Sequence, residues 1–166
     1  ALELRPEKDT LRFNAGNIAA FLMKNERFID AMVILETLIN ADPNNLNAFH
    51  NLALIHWQLG DSQKAIECFS KVIQLNPQDV FAYESLAKLY FKSKKAKETI
   101  RCCKKLIEMG EAVNISVSMI AQVMNWTGNY SGAVKLLENY LQNQPENDVW
   151  WFVLSEIHEY RNNRKA

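Results

Sequence analysis

A chain of 166 residues, 48% of them hydrophobic, is long enough to bury a core of its own. Its 19 basic and 19 acidic side chains cancel, so no overall field draws it to nucleic acid or to an anionic membrane. No apolar run approaches the ~20 residues a membrane span requires, and three cysteines, two of them adjacent at Cys102 and Cys103, make no disulfide framework and point to a reducing, cytoplasmic setting.

Taken in order, the chain opens on Ala1-Leu2-Glu3-Leu4-Arg5-Pro6, which matches Val72-Ile73-Gln74-Leu75-Asn76-Pro77, the end of a later segment. Helical apolar spacing then predicts helices near 8–24 and 28–41, joined at Asn25-Glu26-Arg27. Residues 46–79 are the cleanest copy of this pattern. Phe49, Leu52, Ala53 and His56 share one helical face, Gly60-Asp61 breaks the chain, Ala65, Phe69 and Val72 form a second face, and Pro77 stops it. Residues 80–113 turn at Lys94-Lys95 and carry Glu111 where a proline is expected. Residues 114–147 restore Gly128-Asn129 and Pro145, and a further helix is expected at about 148–161.

Pro43, Pro77, Glu111 and Pro145 lie 34 residues apart, and the columns between them agree. One apolar column holds Phe49, Tyr83, Val117 and Trp151, and another Leu52, Leu86, Ile120 and Leu154. Small residues recur at Ala19, Ala53, Ala87, Ala121 and Ser155, and again at Ala31, Ala65, Thr99 and Ala133. Small residues let helix backbones approach closely, and a hairpin of two such helices needs neighbours to cover its apolar faces.

This pattern resembles the tetratricopeptide repeat family over nearly the whole chain. The resemblance implies an all-α fold, a right-handed superhelix (α-solenoid) of about four and a half antiparallel helix hairpins. The units are expected at about 12–45, 46–79, 80–113 and 114–147, with a partial unit at 148–166, in a single domain cut from a longer chain. Trp150 shares a column with Asn14, Ala48, Ala82 and Ser116, beside Trp151 and Phe152. That aromatic set on a last helix is expected to be covered, by a following helix or by self-association through the C-terminal end.

Catalytic and metal constellations are missing from the pattern. His56 and His158 fall in a packing column with Tyr90 and Met124, and Cys103 in a core column with Leu35, Phe69 and Leu137. No Cys, His or Asp lies at ligand spacing around His50, and there is no glycine-rich phosphate loop or nucleophile elbow. The chain is therefore expected to be no enzyme and to hold no cofactor. The basic run Lys88, Lys92, Lys94, Lys95, Lys97, Arg101, Lys104 and Lys105 reads as a solvated face, or as a site for an acidic partner segment rather than for nucleic acid.

By register, the resemblance implies that the first helices line a concave groove through Phe13, Asn17, His50, Asn51, Trp57, Gln58, Phe81, Ser85, Lys88, Phe91, Met119, Gln122 and Trp126. Its aromatic residues are suited to anchor the apolar side chains of a partner peptide or helix. The clamp with which some family members grip an acidic chaperone C-terminus does not fit, since of Gly16, Ala20, Asn51, Phe81 and Ser85 only Asn51 agrees with it. Asn17 and Asn51 instead resemble two rungs of the asparagine ladder that holds an extended peptide backbone, and the ladder lapses at Ser85 and Met119. The function expected is a non-catalytic protein-interaction scaffold without nucleic-acid or membrane partners. Two other readings stay open: the recruiting domain of a larger glycosyl- or methyltransferase, and a secretion-type chaperone for hydrophobic cargo.

Overall fold

The computed structural model describes the backbone of residues 5–163 and the side chains of residues 15–162. Among the described residues there is no strand. The helices are α1 (Arg5–Lys24), α2 (Phe28–Ala41), α3 (Leu46–Gln58), α4 (Ser62–Leu75), α5 (Val80–Lys92), α6 (Ala96–Glu108), α7 (Val113–Trp126), α8 (Tyr130–Asn143) and α9 (Asp148–Asn163). Packing divides the chain into two compact units, Ala1–Ala82 and Tyr83–Ala166, with the division inside α5. In the first, α1 packs on α2, α2 on α3 and α3 on α4; in the second, α6 packs on α7, α7 on α8, and α9 on both α7 and α8.

The turn inside each hairpin is built one way. Glu26, Gly60, Lys94 and Gly128 have positive φ, at 58°, 82°, 57° and 90°. The residue after each donates its N–H back across the turn: Arg27 to the Leu22 carbonyl, Asp61 to His56, Lys95 to Tyr90 and Asn129 to Met124, at 2.8–2.9 Å. This bond ends the first helix and satisfies one of its orphan carbonyls. Gly60 and Gly128 take the left-handed conformation without steric cost, whereas Glu26 and Lys94 are held in it by the surrounding hairpin.

Starts of first helices follow a second repeated rule. Asn45, Asp79 and Asn147 accept the N–H of Ala48, Ala82 and Trp150 at 3.0, 2.8 and 3.2 Å, a side-chain cap in the same register position. Val113, the first residue of α7, stands at that register position, and its apolar side chain cannot cap. There Glu111 also replaces the proline, and the chain turns through Gly110 (φ 75°) and Ala112 (φ 47°) instead.

The columns of small residues are the crossing points. Ala19, Ala53, Ala87 and Ala121 are at most 1% exposed, and Ala31, Ala65, Thr99 and Ala133 are wholly buried. Leu35, Phe69, Cys103 and Leu137, four residues on from the second set, are wholly buried as well. Cys103 therefore packs as a small hydrophobe.

Trp150 corrects an expectation. It is wholly buried, and so are or nearly are Ala48, Ala82 and Ser116 of its column. Its indole N–H donates to the Asn114 carbonyl at 3.2 Å and its ring meets Tyr140 edge-on with centroids 5.3 Å apart. A column of small residues marks tight packing, and in the last hairpin that space is filled by one large ring. Trp150 belongs to the core of the second unit and offers no end surface, while Trp151 and Phe152 remain 51% and 63% exposed.

Candidate binding surface

In the first unit, α1 and α3 border an open cleft of about 460 Å³. Asn17 reaches it from α1, while Asn47, His50 and Asn51 reach it from α3, above Leu35 and Leu38. Asn17 is exposed and Asn51 half-buried, and neither side-chain amide is hydrogen-bonded to a described residue. Each amide thus keeps a donor and an acceptor for a partner. The two rungs expected one repeat apart share one cleft. A neighbouring cleft of about 510 Å³ is lined by Met23, Lys24, Phe28, Leu54, Trp57 and Gln58, among others.

Phe69 organises the aromatic side of this unit. Trp57, His50 and Phe81 meet its buried ring with centroids 6.3, 6.2 and 6.1 Å away, and His50 lies 5.5 Å from Phe81. Trp57 of α3 and Phe81 of α5 therefore both pack on Phe69, a core residue of α4. They are also accessible: Trp57 is half-buried and Phe81 is 46% exposed. Such edge-to-face contacts hold a ring in place at little entropic cost to a later ligand.

Asp79 is the residue that sequence spacing misses beside His50. Its Oδ2 lies 3.1 Å from His50 Nε2, and both side chains are largely buried. That distance is an ion-pair distance, but the approach is too oblique for a hydrogen bond and Nε2 has no other partner. The attraction is complete only with the ring protonated. The cap column Asn45, Asp79, Asn147 is the signal that would have found Asp79. Among the described residues no group of three His, Cys, Asp or Glu side chains could hold a metal ion.

In the second unit, Phe91 and Trp126 stack obliquely with centroids 4.7 Å apart. Lys94 Nζ sits 3.9 Å from the Trp126 ring centre and 5.8 Å from that of Phe91, a cation–π contact made by the turn residue itself. Lys88 pairs with Glu84 at 3.3 Å. Met119 and Gln122 are half-buried, and Met119 Sδ is 3.9 Å from Cys103 Sγ. Ser85 is only 2% exposed; its one-carbon side chain ends below the surface, so it lines no accessible groove. The side chain of Phe13 lies outside the described residues. His158 is exposed and hydrogen-bonds Tyr130 through Nδ1, whereas His56 is buried. Burial pushes the Cys68 and Cys102 thiols up to about 11 and Cys103 to about 12, which leaves them protonated and poorly nucleophilic. Among the described residues no helix is long and apolar enough to cross a membrane.

Residues 46–79 match the family model of the tetratricopeptide repeat. No curated protein sequence matches the chain. Among solved structures, MamA from Desulfovibrio magneticus RS-1 (residue 41 to the end) is 16% identical over 93% of this chain and 87% of its own, with a TM-score of 0.76. A tetratricopeptide repeat protein from Parabacteroides merdae ATCC 43184 is 14% identical over 97% of this chain and 62% of its own, at 0.73. YrrB, described as a tetratricopeptide repeat protein with an unusual peptide-binding site, is 13% identical over 90% of this chain and 77% of its own, at 0.71. Identities this low establish likeness of fold. The chain thus carries a tetratricopeptide repeat at residues 46–79 and has the all-α, helix-hairpin fold of tetratricopeptide-repeat proteins.

Proposed function

We propose that the chain is a non-catalytic scaffold that holds an extended peptide segment of a protein partner in the cleft between α1 and α3. The observation that carries this reading is the shared opening of Asn17, Asn47, His50 and Asn51. Amides at that spacing pair with a peptide backbone whatever its side chains. Trp57 and Phe81 stand beside the cleft as rigid apolar anchors, and hot spots of binding are enriched in such aromatics. In the second unit, Phe91, Trp126 and Lys94 supply a further contact of the same kind. YrrB's description as peptide-binding is in keeping with this reading. The three free cysteines suit a cytoplasmic setting.

The test starts from peptides selected against the protein from a random displayed library. Asn51→Ala and Trp57→Ala are each expected to weaken the selected peptide about tenfold or more, the scale of a hot-spot contact. Unchanged affinity in folded variants of both residues would place the peptide elsewhere.

A second surface is supported by α9. Trp151 and Phe152 expose about half or more of their area, and the Trp151 indole N–H is already held by the Pro145 carbonyl at 2.8 Å. We read this helix as a self-association contact at the C-terminal end, now without Trp150.

A further inference from the structure

The neutrality of the chain conceals a segregation of charge within the second unit. Between residues 88 and 105 there are eight basic side chains and one acidic, Glu98; between residues 136 and 160 there are five acidic side chains and no lysine or arginine. Four of the eight cations are engaged: Lys88 with Glu84, Lys105 with Glu108, Lys94 over Trp126 and Lys95 over Tyr90. Lys97, Arg101 and Lys104 are all exposed and form no ion pair with a described residue. They follow at i, i+4 and i+7 along α6, on the side opposite its buried Thr99, Cys102, Cys103 and Leu106.

Helix α9 carries the complement. Asp148, Phe152, Glu156 and Glu159 lie on its outer side, opposite the buried Trp150, Val153, Leu154 and Ile157, and all four are exposed. The three acids form no ion pair with a described residue. At 1.5 Å per residue the basic stripe spans roughly 10 Å and the acidic stripe roughly 16 Å, so the first fits within the second. Phe152, at the middle of the acids, offers its ring to the Arg101 guanidinium and the lysine stems.

We propose that the acidic, aromatic outer face of α9 docks on the Lys97–Arg101–Lys104 stripe of α6 in a second copy of this chain. This names the counter-surface for the α9 contact read above and rests on that reading. Within one molecule both stripes point away from the helices they pack on, so they can satisfy each other only between copies. A second copy is favoured over an unrelated acidic partner because the matching surface, of opposite sign and sufficient length, is present on the same unit. Two different patches make the contact heterologous, and repetition yields rings or open chains rather than a closed symmetric dimer. Exposed ion pairs are individually weak and are screened by salt, so the assembly is a concentration-dependent one at low ionic strength.

Sedimentation velocity of the whole chain tests this in about 0.01 M and about 1 M salt, between which the Debye length falls from ~30 Å to ~3 Å. Growth in sedimentation coefficient with concentration is expected at the low salt and not at the high. The double variants Arg101→Glu/Lys104→Glu and Glu156→Lys/Glu159→Lys should each stay monomeric, since like charges then face each other. Mixed in equal amounts they should associate again, because every contact between unlike variants is complementary. All four positions are exposed, and far-UV circular dichroism verifies that the variants fold. A wild type that stays monomeric at low salt overturns the proposal. Association that survives reversal on α6 but is lost in Phe152→Ala also overturns it, while leaving α9 as a contact surface for some other patch.

Discussion

Asp79 faces His50 with one carboxylate oxygen, at 3.1 Å from Nε2, and with the other accepts the backbone N–H of Ala82 at 2.8 Å. One side chain thus caps the start of α5 and holds a ring of α3 in place beside Phe69 and Phe81. Losing the cap costs about 1–2 kcal/mol, and the attraction to His50 adds to that when the ring is charged.

Asp79→Ala is therefore expected to lower stability by about 1–2 kcal/mol in urea denaturation. Asp79→Asn should recover most of the loss, because an amide oxygen caps as well as a carboxylate. Equal losses for the two variants would assign the effect to the His50 contact instead of the cap.

Glu26 holds a left-handed turn position that Gly60 and Gly128 fill elsewhere. Its side chain is exposed, so nothing offsets the backbone cost of roughly 1–2 kcal/mol for a residue with a Cβ. Glu26→Gly should stabilise the chain by about 1 kcal/mol, seen as a higher denaturation midpoint with unchanged slope. Lys94→Gly, at the same register position, should gain less because it gives up the cation–π contact with Trp126.

Asp61 caps α4 by accepting the Lys64 N–H at 3.2 Å. That backbone hydrogen bond is the main cause holding its carboxyl below the ordinary 3.8, with the Lys64 side chain, 3.4 Å away, acting in the same direction. A folded-state value below the unfolded one means that the cap's contribution is present above pH 3.8 and is lost as the pH falls through the folded value. Asp61→Asn keeps the cap and removes the titration, so its stability should fall less steeply in that acid range. Parallel acid limbs for the two proteins would contradict the assignment.

How much of this was legible in sequence differs by kind of feature. The hairpins were, since a 34-residue register repeats at once the small crossing residues, the large core residues and the left-handed turn, and each column has a single packing solution. Helix ends followed from Gly60, Gly128 and the prolines. Lys94 and Glu26 carry no such mark, and there register alone locates the turn. Trp150 was misread because a column of Ala and Ser says that space is short without saying who fills it when a neighbour changes. Ser85 was placed in the groove by register, but whether a short side chain reaches the surface depends on the longer ones around it. The pairing of His50 with Asp79 lay outside spacing rules because it joins one helix to the capping residue of another, and the stacking of Trp57 and Phe81 on Phe69 required three-dimensional placement.

In the proposed scaffold the Asn51 amide reads a peptide backbone. A library-selected peptide and its analogues with one amide replaced by an ester test it most directly, by titration calorimetry against the wild type and Asn51→Ala. At the residue held by Asn51, the ester should weaken binding to the wild type by about 1 kcal/mol, the net value of one hydrogen bond, and leave the variant's affinity unchanged. If no ester position couples to Asn51, and every analogue loses as much in the variant as in the wild type, Asn51 does not hold the peptide backbone and the ladder reading fails.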